Sequence, residues 1–167
     1  MKIEWCQNNE RVPALVSFFI ENVDPSYISH GEIQTGRALD VNTWSPALPR
    51  ILREEFDSYF EKGPVAGDEC KVAVATAAGD ISALLIVKIQ TVGEEPLSVL
   101  SDFIVKRESR GQGIGRAVFS WLLWEMKKAG IGRIFLESGQ NNERAHRFFK
   151  SQGFAPCSIV MLKEVAR

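Results

Sequence analysis

Long hydrophobic runs are missing from this chain. Stretches such as Ala83-Leu84-Leu85-Ile86-Val87 fall far short of the roughly 20 residues a spanning helix requires, so no membrane partner is expected. The first residues, Met1-Lys2-Ile3-Glu4-Trp5, lack an apolar core and a small-residue cleavage site, so no signal segment is expected. Cysteine is scarce. Cys6, Cys70 and Cys157 are odd in number, widely spaced and without a CxxC pair, which points to reduced thiols and a cytoplasmic location. Two histidines without ligand-like spacing give no metal site. Net charge is only −1, and no basic stripe is interleaved with aromatics, so nucleic acid is not an expected partner. Repeats and low-complexity tracts are absent as well.

What is present suits one domain over residues 1–167, since domains run to about 100–200 residues. Ten Phe and four Trp can fill a core without a disulfide or structural metal. Charge is unevenly spread. Residues 1–105 carry 8 Lys and Arg against 16 Asp and Glu, whereas residues 106–150 carry 10 against 4. A solvated surface would show this by chance; the sharper reading is a basic segment for an anionic ligand beside an acidic segment for a cation. Monomer and homodimer are both open.

The patterning alternates strand and helix. Lys2–Cys6 reads as a strand, and Leu15, Phe18, Phe19 and Val23 form a helical stripe that Asp24-Pro25 ends. Residues 26–48 read as a loop with a short helix. Arg50–Phe60 reads as a helix stopped by Lys62-Gly63-Pro64. Cys70–Ala77 and Ile81–Gln90 flank a hairpin turn at Ala78-Gly79-Asp80, and Leu97–Val105 follows a second turn at Gly93-Glu94-Glu95-Pro96. The period then changes to a helix over Gly113–Ala129, a strand over Ile134–Ser138, a helix over Glu143–Gln152 and a last strand over Ser158–Lys163. The fold class is mixed α/β (α+β), with antiparallel hairpins first and a strand–helix–strand crossover later.

The strongest local signal is Arg110-Gly111-Gln112-Gly113-Ile114-Gly115, between a strand and a helix. Glycines there strip side chains from the backbone as it turns into the helix. Unpaired N–H groups then face outward with the positive end of the helix dipole behind them, which suits a diphosphate. Lys106, Arg107, Arg110 and Arg116 can add charge. A Walker loop needs GxxxxGK[ST], which is absent, and a dinucleotide fingerprint needs a glycine where Arg116 or Val118 stands. Asp102 is the other unusual residue: a carboxylate in an otherwise apolar strand, on one face with Leu100 and Ile104. Such a group binds an ammonium or relays its proton through water; it is equally explained as an edge Asp facing water or paired to a base. Glu32, Glu137 and the acidic 26–48 segment rank second, and His30 and His146 read as surface or satisfied groups.

Arg110-x-x-Gly113-x-Gly115, five residues after Val105, resembles the coenzyme A loop of the GNAT acetyltransferase superfamily. Ile134-Phe135-Leu136-Glu137 resembles its fifth strand, and Asn142–Phe149 running to Gly153-Phe154 resembles its Asn-x-x-Ala helix. The resemblance is close over residues 97–163 and rests on element order before that. It implies a central sheet of six to seven strands, about four flanking helices, and fourth and fifth strands that splay apart. It implies acetyl-CoA as co-substrate and acetyl transfer to a primary amine by direct attack in a ternary complex. Backbone at Phe103, Ile104 and Val105 would bind the pantetheine arm. Arg110, Gly111, Gln112, Gly113, Ile114, Gly115 and Arg116 would hold the diphosphate, and Asn142 would steady the arm or the thiol end. Phe149 stands where the family often has Tyr, a proton donor to the leaving thiolate. Ser138, Tyr27 or Tyr59 would replace it, or solvent would. Asp102 resembles the Asp of a Glu-Asp-apolar-apolar-Val strand in polyamine acetyltransferases, with Ser101 in place of Glu. The implied acceptor is a small cationic amine, the alternatives being a protein N-terminal or lysine amine, or an acyl-CoA sensor without turnover.

Overall fold

The computed structural model describes residues 1–61, 67–91 and 95–165. The expected stop at Lys62-Gly63-Pro64 and the Gly93-Glu94 part of the second turn lie outside the described residues. The elements in chain order are β1 (Lys2–Trp5), α1 (Val12–Asn22), α2 (His30–Gln34), β2 (Ala38–Asp40), β3 (Thr43–Trp44), α3 (Leu48–Glu61), β4 (Asp68–Ala77), β5 (Asp80–Gln90), β6 (Leu97–Val105), α4 (Ile114–Lys128), β7 (Arg133–Leu136) and α5 (Glu143–Ser151). The chain forms two compact units, one of Met1–Val23 with Pro46–Glu137 and one of Asp24–Ser45 with Ser138–Arg167.

The first unit holds a five-stranded sheet in the order β1-β4-β5-β6-β7. Pairing is antiparallel from β1 to β6 and parallel between β6 and β7. β5 is the central strand, and its run Ala83–Val87 is fully buried, as a strand covered on both faces must be. β6 alternates instead. Ser98, Leu100, Asp102 and Ile104 are buried, whereas the residues between them are half-buried. Phe103, on the other face, meets Phe119 of α4 with ring centroids 6.4 Å apart. Local chemistry sets the ends of α1: Pro13 sits in its first turn, and Val23 turns extended ahead of Asp24-Pro25. Trp5 ties β1 to α4, since its indole N–H donates to Glu125 at 2.8 Å and its ring lies 4.9 Å from that of Trp121. That indole bond holds the Glu125 carboxyl below the usual carboxylate range, with Lys128 adding to the effect.

The second unit holds α2, the two-stranded β2-β3 sheet and α5. Ser29 and Glu32 form a capping box at the start of α2, and Glu32 also faces Arg37 at 3.8 Å, both residues buried. Two expectations need correction here. The 26–48 stretch contains a β2-β3 hairpin as well as a short helix. Ser158–Lys163 is not a strand: residues 154–165 have no regular structure, and Ile159 and Met161 are each 90% exposed. Apolar composition marks a segment as strand-prone, but a strand forms only where a partner edge pairs with it. The main sheet therefore has five strands among the described residues, not six to seven. Among the described residues no helix is long and apolar enough to cross a membrane.

Candidate active site

β6 ends at Val105, a short turn covers Arg107–Ser109, and α4 begins at Ile114. Between them Gly111 and Gly113 take φ of 82° and 83°, the left-handed region that a side chain disfavours. A Cβ built on either glycine would meet nothing within 4 Å, so the turn stands open. Gly113 is the N-cap of α4 and no side chain caps the helix. The first intrahelical bond at this end is Ala117 N–H to Gly113 O at 3.0 Å. The N–H groups ahead of it are the ones a helix leaves without partners, and the helix dipole puts positive charge behind them. Bare backbone, open space and unused donors fit a diphosphate.

The flanking cations divide differently from expectation. Arg110 turns inward: its guanidinium donates to Val105 O at 3.0 Å through Nε and to Asn22 O through Nη2. Arg107 donates through its backbone N–H to Asn22 Oδ1 at 2.7 Å and through its side chain to Val23 O at 3.3 Å. Lys106 faces Asp80 at 3.9 Å. Arg116, exposed on the first turn of α4, is left to offer side-chain charge at the glycine turn. Asn22, whose side chain and carbonyl both accept from this loop, is not singled out by the sequence. It is 4% exposed at the end of α1, far away in sequence from the loop it holds, and nothing local marks it.

Asp102 sits in the middle of β6 and is 1% exposed, on one face with Leu100 and Ile104. Burial excludes the reading of an edge carboxylate facing water. The β5–β6 register shifts beside it: Val87 pairs with Leu100 and Ile86 with Asp102, so Ser101 is the extra residue of a bulge. The β6–β7 pairing runs only from Leu97–Arg133 to Leu100–Leu136. Beyond it, Ser101–Val105 has no strand partner on that side among the described residues, which is the splay expected of these strands. Phe103, Ile104 and Val105 lie in this stretch.

Ser138, Asn142 and Phe149 lie in the second unit. Ser138 Oγ is buried and has no hydrogen-bond partner among the described residues. Asn142 caps α5, its Oδ1 accepting from Ala145 N–H at 3.1 Å. Phe149 packs edge-on against Phe148 and Phe154, with ring centroids 5.3 and 5.5 Å away. Gly139 is buried against the backbone of Ser26–Ile28, where a Cβ would stand 2.5 Å from Ile28 O. This contact brings Tyr27 into the same unit as Ser138, and Tyr27 lies against Trp44 with ring centroids 6.3 Å apart. Tyr59 belongs to the first unit, edge-on to Phe56.

An open, uncapped glycine turn thus follows a strand that parts from its neighbour and carries a buried carboxylate. A profile of the acetyltransferase (GNAT) family matches residues 37–154, and the chain belongs to that family. It is an acyltransferase by that membership. Solved structures similar in fold include a tetramutant of the BH1408 protein from Bacillus halodurans, at 19% identity and a TM-score of 0.74 over 99% of this chain and 100% of that one. An aminoglycoside acetyltransferase from an uncultured soil metagenomic sample, in complex with sisomicin, gives 17% identity and 0.63 over 99% and 96%. Ribosomal-protein-alanine N-acetyltransferase from Brucella melitensis biovar Abortus 2308 gives 11% and 0.65 over 100% of both chains. No curated protein sequence matches this chain.

Proposed function

We propose that the chain acetylates a small cationic primary amine with acetyl-CoA, by direct attack in a ternary complex. The observation that carries this reading is the open, uncapped start of α4 at Gly111–Gly113. Backbone N–H groups of Gln112–Arg116 and the Arg116 side chain hold the diphosphate. The backbone of Phe103–Val105, on its side away from β5, binds the pantetheine arm. Acetyl-CoA, when bound, supplies an activated acyl group.

The rest is proton management by the chain. An ammonium must lose a proton before its nitrogen can attack, and the buried Asp102 carboxylate holds the cation and takes that proton directly or through water. The new N–C bond forms as the C–S bond breaks, and the sulfur must then be protonated. Phe149 cannot do this, so the reading assigns the step to solvent, whose water can protonate the thiolate without a side-chain acid. The acidic composition of residues 1–105 favours a cationic acceptor. An amine-panel assay that follows free thiol release from acetyl-CoA tests the proposal. Turnover with small polyamines or aminoglycoside-like amines supports it, turnover with peptide amines alone moves the reading to protein acetylation, and no release despite tight binding makes the chain a sensor.

A further inference from the structure

We infer that Asn22 is a positioning residue for the acyl-carrier loop, and that Arg110 acts through the same brace and not by touching the diphosphate. The inference rests on the proposed use of that loop. The loop leaves β6 at Lys106 and reaches α4 at Ile114, and glycines at 111 and 113 leave it little intrinsic stiffness. Something outside it must hold its shape. The end of α1 does so.

The Asn22 side chain spans two elements. Its Nδ2 donates to Phe18 O at 2.8 Å, which locks the amide onto the last turn of α1. Its Oδ1 then accepts from Arg107 N–H at 2.7 Å. The carbonyls of Asn22 and Val23, at the negative end of the α1 dipole, accept from the Arg110 and Arg107 guanidinium groups. Arg110 carries the brace onward to Val105 O, the last residue of β6. Helix end, strand end and glycine turn are thereby joined through the Asn22 side chain together with the main-chain carbonyls of Asn22, Val23 and Val105. Charge-assisted bonds to backbone carbonyls occupy Arg110 and set the direction of the N–H groups that follow it.

A double-mutant cycle on the full chain, read as CoA dissociation constant by calorimetry, separates bracing from direct contact. Asn22→Ala and Arg110→Ala should each weaken CoA about tenfold, and the double variant should be little worse than either, because both cut the same brace. Arg116→Ala should add its full effect to Asn22→Ala, and that effect alone should shrink as salt rises. Asn22→Asp keeps an acceptor for Arg107 N–H but loses the Nδ2 bond to Phe18 O, so its CoA affinity should fall between those of the wild type and Asn22→Ala; it is also the variant to use if Asn22→Ala does not fold. Additive losses for Asn22 and Arg110 would overturn the inference. So would a lowered melting temperature with CoA affinity unchanged, or no rescue by Asn22→Asp. Failure of the wild-type chain to bind CoA would instead remove the proposed function, and the inference with it.

Discussion

Gly113 and Gly139 each lie between a strand and a helix, one ahead of α4 and the other ahead of α5. Gly113 has a φ of 83° and open space around the position of a Cβ. Gly139 has an ordinary φ and no space, since a Cβ there would collide with the carbonyls of Ser26 and Ile28. At the first, glycine bends the backbone and leaves its donors exposed; at the second, glycine lets two segments touch. The contrast teaches that an identical residue signals a ligand site only where the missing side chain leaves room for a ligand.

Variants at these positions should separate the two roles. Gly113→Glu sets a carboxylate where the diphosphate would lie, and CoA affinity should fall by more than about 100-fold in calorimetry with the fold intact. Asp102→Asn removes the proton acceptor but keeps the shape, so steady-state kinetics should show kcat down by about 100-fold with CoA affinity little changed. Equal losses in both would remove Asp102 from the acceptor side. Gly139→Ala should be a folding variant: overpacking against backbone should cost about 3 kcal/mol in denaturant unfolding. Gly113→Ala, by contrast, meets no atom and should cost only the left-handed strain of about 1–2 kcal/mol. If Gly139→Ala is the milder of the pair, the contrast drawn between the turns is wrong.

The smallest effect concerns a bond remote from both turns. Because Trp5 lowers the folded-state pKa of Glu125, the stability it confers is full above the unfolded carboxylate pKa of about 4.5 and is lost as pH falls through the lower folded value. Trp5→Phe should therefore lower the melting temperature near neutrality, by a hydrogen bond worth about 1 kcal/mol. The gap from wild type should narrow in acid, and a gap that stays constant with pH would assign the effect to packing of the Trp5 and Trp121 rings alone.

Local pattern made the centre of the site legible. Leu97–Val105 has the expected bounds, and period-two reading placed Asp102 with Leu100 and Ile104, because alternation is a property of the strand itself. The Gly111–Gly115 pattern located the open turn because backbone shape depends on adjacent residues. The misses are non-local. Asn22 meets Arg107 across 85 residues, and no periodicity reports such a bond. Arg110 was legible as a cation near the loop, but not as one turned toward carbonyls. The β2-β3 hairpin is too short for alternation to develop, and Ser158–Lys163 has strand composition without a partner strand.

The account stands on the uncapped donors at the start of α4. Calorimetric titration of CoA into the wild-type chain and Gly113→Glu, side by side, tests this most directly. The account predicts saturable one-site binding for the wild type and none for the variant at the same concentrations. Equal binding by both would contradict it.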